Sequence, residues 1–284
     1  MNIQGKLHNG KVSGGIEWVK TIHPDGTETQ GYTWNPVGGC KHACRWDMPD
    51  GSVAQCYAEE FATKYRSPKF YAEGFDHHYF NEKALDEPYR VHTPARIFLD
   101  SMSDLMGHWV PDEQIQRVLE VVQDNPHHTF LLLTKNAPRL LQFEFPENLW
   151  VGVSMPPTQM FGKPVSENQR RSYIMRALSV LSDVRASVRW MSFEPLSYDV
   201  VSDMYAWQMH RIQTEAPSVY FPLDWAVIGA ASSGRKVFQP KPHHVRRLEE
   251  ALGEISPQFP VFYKGNLRGN AGITEWREEY PAIG

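Results

Sequence analysis

The chain is poor in cysteine, with three in 284 residues, and none lies outside one loop. Cys40, Cys44 and Cys56 all fall within GCKHACRWDMPDGSVAQC. So small and odd a number excludes a disulfide framework as the source of stability. Long apolar runs are also missing: none approaches the roughly 20 residues that a membrane span needs. The opening MNIQGKLHNGKV holds no apolar core of a secretory signal. These absences lead us to expect a cytoplasmic protein with no membrane partner. In that reducing compartment disulfides are disfavoured, and clustered thiols bind metal or do chemistry. An excess of basic charge is lacking too. Lysine plus arginine number 29 against 33 acids, a net charge of −4. That excludes a global basic field for gripping nucleic acid, though not a local basic patch.

What the chain does have is apolar content, 41% hydrophobic and 12% aromatic, enough for a sizeable core. It comes in short runs that read as strands over 31–36, 95–100, 128–134, 148–154, 187–193, 224–230 and 259–264. Between several of them lie helical patterns. PDEQIQRVLEVVQ (111–123) opens on Pro and acids, SENQRRSYIMRALSVLS (166–182) has Ser166 as candidate N-cap, and HHVRRLEEALGEI (243–255) follows later. The runs lack clean alternation, the mark of parallel strands covered on both faces. Six or seven such strands are too few for a full eight-stranded barrel. The expected fold is therefore α/β, a partial (β/α)6 barrel of mainly parallel strands, in one domain spanning 1–284. Residues 1–15 are expected as a loose N-terminal arm. The aromatic stretch 196–223, with Tyr198, Tyr205, Trp207, Tyr220 and Phe221, is expected as an irregular insertion or lid able to stack on a base.

In such folds chemistry sits beyond the C-terminal ends of the strands. The residues there are the cysteine loop, Ser101, Ser103 and Asp104, Thr134-Lys135-Asn136, Ser154, Glu194, the loop from Gly229 to Gly234, and Lys264. Polar residues are common at loop starts, so each alone is weak; the signal is that all point to one face.

Thiolates are soft ligands that select zinc, copper(I) or iron–sulfur clusters. With His42 the three cysteines could form a Cys3His zinc site. Three cysteines without a fourth also suit a [4Fe–4S] cluster in which one iron lacks a protein ligand and can bind S-adenosylmethionine. Radical S-adenosylmethionine enzymes commonly show Cys-x3-Cys-x2-Cys. Here the first interval matches, but the second holds eleven residues. The extra nine include Pro49-Asp50-Gly51, a ready turn, so a hairpin between the second and third cysteines would keep the sulfurs together.

The surrounding blocks add a resemblance. YTWNPVGGCKHAC…QCYAEEFA is similar to a phage-associated family of formerly unknown function whose members read TWNP-x-x-GC, two further cysteines and YAE. SMSDL, HTFLLLTKNAPRL, NLWVGVS, VRWMSFEPL, DWAVIGAASSG and VFYKGNL continue it in order over roughly 16–270. That family in turn resembles the radical S-adenosylmethionine superfamily, with its cluster loop after the first strand. The resemblance implies an enzyme with a [4Fe–4S] cluster on Cys40, Cys44 and Cys56, S-adenosylmethionine as cofactor, and an external electron donor of flavodoxin or ferredoxin type. It also implies the host cytoplasm as location if the chain is phage-encoded. This chain departs from the family in the nine-residue insertion. It departs again where Gly-Gly-Glu-Ser-Gly is replaced by Gly229-Ala-Ala-Ser-Ser-Gly234, losing an acid.

For the cofactor, Glu194 and Asp104 can accept from ribose hydroxyls or the ammonium, and Lys135 can face a carboxylate or a phosphate. Ser101, Ser103 and Ser154 can hydrogen-bond to either, and Gly152 and Gly229 can let the backbone approach adenine. The plainer alternative for Glu194 is an ion pair with Lys135 or Lys264 that braces the strand ends. Trp46 stacks on adenine or anchors the hairpin. The pairs His77-His78, His127-His128 and His243-His244 are poor metal sites, because adjacent side chains diverge. Three functions compete: a radical S-adenosylmethionine enzyme, a zinc-stabilised nucleic-acid-binding protein, and an iron–sulfur electron-transfer or redox protein. For the first, the phage resemblance points to a nucleotide or DNA base as substrate. One such reaction is an isomerase-type rearrangement of an amino-acid group on a thymine.

Overall fold

The computed structural model describes residues 1–64, 71–214, 219–233 and 236–282. Among them one eight-stranded sheet organises the chain, its strands neighbouring one another in sequence order. They are β1 (Asn2–Ile3), β2 (Tyr32–Trp34), β3 (Arg96–Leu99), β4 (Thr129–Thr134), β5 (Leu149–Ser154), β6 (Arg189–Phe193), β7 (Trp225–Ile228) and β8 (Val261–Tyr263). β1 runs antiparallel to β2. All the other pairings, from β2 to β8, are parallel. Each parallel step needs a crossover, and α1 (Tyr57–Lys64), α2 (Asp112–Asp124), α3 (Glu167–Asp183), α4 (Val201–Thr214) and α5 (Pro242–Gly253) lie in these connections. A 3-10 segment, Ala137–Gln142, serves between β4 and β5. β1 and β8 end the sheet and do not pair, so the sheet is open. The architecture is mixed α/β with a largely parallel sheet; its eight strands exceed the six or seven expected, the extra one being the antiparallel β1.

The unbroken apolar runs have a physical cause. Every residue of β5 is buried, because both sheet faces are covered. Ile97, Leu132, Val151, Met191 and Ile228 belong to the core that includes Leu119 of α2, Leu178 of α3 and Leu248 of α5. The opposite face carries Phe98, Leu131, Trp190, Trp225 and Phe262, closed by Trp18. The Trp18 ring meets Phe98 at 4.6 Å and Trp190 at 5.2 Å, edge-on. Gly152 makes room here: a Cβ on it would stand 2.3 Å from the Trp190 indole. Its lack of a side chain therefore serves this packing, not an approach to adenine. α3 starts as its sequence implies. The Ser166 hydroxyl accepts from the Gln169 amide, and the Gln169 side chain accepts from the Ser166 amide.

Two expectations are corrected. Residues 1–15 are not a loose arm: Asn2 and Ile3 pair with Thr33 and Tyr32, and Lys6–His8 and Lys11–Ser13 form a hairpin. The stretch 196–223 is not an irregular lid. It contains α4, which buries Val201, Met204 and Trp207 at three-residue intervals. Trp207 and Phe221 are core residues and cannot stack on a base. Residues 215–218 of that stretch lie outside the described residues. No helix among those described is long and apolar enough to cross a membrane.

Candidate functional site

The cysteine loop leaves the end of β2 through a turn that needs glycine. Gly39 has φ +82°, and a Cβ there would stand 2.0 Å from the His77 carbonyl oxygen. The Cys40 amide then donates to the Phe75 carbonyl at 2.8 Å. After Cys44 the nine-residue insertion folds as the hairpin its turn residues imply. Arg45–Asp47 pairs with Val53–Gln55, in the register Arg45 to Gln55. At its tip the Asp50 carboxylate accepts from the Ser52 amide and hydroxyl. Arg45 holds Glu59 of α1 through two bonds of 2.6 and 2.9 Å and also donates to the Cys44 carbonyl. This guanidinium ties the chain beside Cys44 to the helix that follows Cys56. Met48 and Ala54 of the hairpin pack on Ala231, with Trp46 and Phe238 at the edge. Trp46 thus anchors the hairpin while also lining the cavity below.

Cys40, Cys44 and Cys56 are free thiols, and all three line one cavity of about 810 Å³. Ser101, Ser103, Asp104, Lys135, Ser154, Glu194 and Lys264 line it too. The strand ends therefore bring the expected residues together, save Gly229, Asn136 and the exposed Ser233. Gly229 lies behind the wall, where a Cβ would meet the Glu194 side chain at 2.9 Å. Asn136 turns away and donates to the Met106 carbonyl. Gly234 lies outside the described residues.

Burial pushes the Cys44 thiol up to about 11. It raises Cys40 as well, helped by the Asp104 carboxylate. Unliganded, these two thiols stay protonated at neutral pH, so a metal must displace the proton. Lys135 faces them. Burial would lower its pKa, but the fields of Cys44, Cys56 and Cys40 in their thiolate form, together with that of Asp104, outweigh burial and raise it.

Asp104 sits at the centre of this polar ring, almost fully buried. One oxygen accepts from the Thr134 hydroxyl at 2.7 Å and the Met106 amide at 3.0 Å. The other accepts from His42 Nε2 and from the Lys135 amide, both at 2.8 Å. A carboxylate has about four lone-pair directions, and all are taken. Asp104 therefore positions His42 and Lys135 and has no acceptor left for a ribose or an ammonium. Glu194 pairs with Lys264, the bracing alternative, with its side chain 28% exposed. The serines are also engaged: Ser101 with Asn35, Ser103 with the Gly39 carbonyl at 2.6 Å, and Ser154 with the Met155 carbonyl at 3.3 Å. A hydroxyl that donates keeps its acceptor lone pairs, so these three remain able to accept.

Asp100 is the residue that sequence reasoning missed. It directly follows β3, with φ +51°, uncommon for a residue other than glycine. It is buried on the cavity wall, one oxygen accepts from the Val37 amide, and the other has no partner. Burial drives its carboxyl well above the ordinary range, against the Val37 bond and helped by Asp104. Its place one residue before the polar block was the only available signal. A raised folded pKa means stability falls as pH rises past the ordinary carboxyl value of about 3.9. Asp100→Asn removes that fall. Its stability advantage in urea unfolding should grow between pH 4 and pH 7, and a constant difference would show that Asp100 titrates normally.

The donor set can be tested against the metal readings. Among the described residues no three His, Cys, Asp or Glu side chains gather closely enough to hold a single ion. His42, the fourth ligand a zinc site would need, is oriented through Nε2 by Asp104 and keeps Nδ1 without a partner, yet it does not gather with the thiols around one ion. Three thiols spread around a roomy cavity with a cation opposite fit a larger, negatively charged group such as a cluster.

The chain belongs to a family described as a protein of unknown function, DUF5131, whose model matches residues 15–268. No protein of curated function matches it. Among solved structures it is similar to a spore photoproduct lyase mutant with bound AdoMet and dinucleoside spore photoproduct. That match has 12% identity and a TM-score of 0.41, covering 86% of this chain and 65% of that one. A second spore photoproduct lyase mutant shows 10% identity and a TM-score of 0.42, covering 80% of this chain and 75% of that one. At such identity and score the likeness bears on no residue and no activity.

Proposed function

We propose that the cavity holds a [4Fe–4S] cluster on Cys40, Cys44 and Cys56 beside S-adenosylmethionine, and that the protein is a radical S-adenosylmethionine enzyme. The observation that carries this reading is the convergence of the only three thiols on one cavity beyond the ends of parallel strands. A bound, reduced cluster would supply the electron that cleaves the sulfonium and yields a 5′-deoxyadenosyl radical. The chain's own residues do the rest. The Arg45 clamp keeps the second and third cysteines in register across the insertion. Lys135 offsets thiolate charge, and Asp104 fixes the backbone that carries it. Ser101, Ser103 and Ser154 offer acceptors for the cofactor's ammonium and ribose hydroxyls. Glu194 reaches the cofactor on parting from Lys264, and Gly229 leaves its side chain room. The open sheet is read as a partial barrel that encloses this site.

The substrate is read as a nucleotide or a base in DNA, with rearrangement of an amino-acid group on a thymine as one such reaction. The electron comes from an external flavodoxin- or ferredoxin-like donor in the cytoplasm. The zinc reading is disfavoured because no three His, Cys, Asp or Glu side chains among the described residues gather closely enough to hold one ion. A purely electron-transferring protein would have no use for so large a cavity.

Anaerobically reconstituted protein, once reduced, should convert S-adenosylmethionine to methionine and 5′-deoxyadenosine, and the cofactor should shift the cluster's electron paramagnetic resonance. Absence of both the shift and the product would leave only the electron-transfer reading. Deuterated nucleotides and DNA then test the substrate class by transfer of label into 5′-deoxyadenosine.

A further inference from the structure

Beside the thiol cavity lies a second, of about 450 Å³, and the two share His42 and Lys135 in their walls. Its polar lining also includes His108 and Asn136, and from α3 Asn168, Gln169, Ser172, Tyr173 and Arg176. No aspartate or glutamate lines it, although acids outnumber bases in the chain. Arg176 stands exposed on α3. Among the described residues neither its guanidinium nor the Lys135 ammonium makes a hydrogen bond or an ion pair.

Two further features share the sign. The 17-residue α3 presents its positive end here. The Gln169 side-chain oxygen is taken by the capping bond, so its NH2 group is the end left to bind a ligand. Two cations, amide donors and no acid form a surface whose chemistry recognises an anion. The exposed Phe161 ring adds an apolar side to the same cavity.

We propose that this second cavity binds an anionic group, a phosphate or a carboxylate, with Arg176 as its anchor and Lys135 facing both cavities. That the anion belongs to the substrate of the thiol cavity rests on the function proposed above; the binding does not.

The full chain is titrated with inorganic phosphate and, separately, with succinate at constant ionic strength, following the side-chain amide resonances of Asn168 and Gln169. At least one anion should shift them saturably. Arg176→Gln should weaken that binding at least about tenfold, the loss of one charge-assisted bond, and Arg176→Lys should recover part of it. Asn168→Asp, at an exposed turn, should weaken it further still. Saturation by phosphate assigns a phosphate-bearing ligand, and saturation by succinate alone a carboxylate. No saturable shift with either, or equal binding in Arg176→Gln and wild type, overturns the site. Iron content and 5′-deoxyadenosine formation are measured on the same preparations. Failure there removes the cluster reading and leaves the anion site standing.

Discussion

Replacing Cys40, Cys44 or Cys56 by alanine, one at a time, should lower the iron of anaerobically purified protein from about four atoms per chain to less than one. The effect is large because a three-thiol cluster has no protein ligand in reserve. Folding should survive, since the cysteines contribute little to the sheet that holds the loop. Only Cys44 belongs to the buried apolar set, and it is not part of the main clusters. Far-ultraviolet circular dichroism should therefore match wild type while the brown colour is lost. A variant that keeps its full iron would show that its cysteine is not a ligand. Stoichiometric zinc without labile sulfide in the wild type would replace the cluster by a structural metal.

Asp104→Ala should cost on the order of 3–5 kcal/mol in urea unfolding of the cluster-free protein. Four donors converge on this carboxylate, and all would be left without their acceptor. A pH dependence separates this from a simple cavity effect. Burial would raise the pKa of Asp104, but the bonds from His42, Lys135 and Thr134 outweigh it and hold the value below the ordinary range. A lowered folded pKa contributes stability above the unfolded value of about 3.9, and that stability is lost as pH falls through the folded one. Wild type should thus lose more stability than Asp104→Asn between pH 5 and pH 2. Parallel curves for the two proteins would show that Asp104 gains nothing from its charge.

The two results would bear on different parts of the site. The cysteines test the chemistry of the cavity, and Asp104 tests the frame beneath it. Loss of iron in Asp104→Ala with retained folding would connect them. Asp104 acts on the cysteine loop through the His42 side chain, which lies between Cys40 and Cys44.

Local rules made much of this protein legible from its residues. Strands buried on both faces read as unbroken apolar runs, so β3 to β8 could be placed within a few residues. Ser166 and Gln169 spell a capping box, and Pro49-Asp50-Gly51 spells the turn of the insertion hairpin. The polar residues just past each run share a cavity because parallel strands all end on the same side. Contacts between distant segments were not legible. The two residues of β1 are too short a run to announce a strand until Thr33 and Tyr32 offer them an edge. α4 reads as irregular because only its tertiary neighbours show which aromatic residues are inside. Sequence placed Asp104 and Glu194 at the site. Only the folded chain decided that Asp104 is saturated by four donors, that Glu194 meets Lys264, and that Asp100 is buried with an oxygen left over. The reason is general: residue type and spacing determine which groups reach a strand end, while hydrogen-bond partners and burial are set by chain segments that meet only in three dimensions.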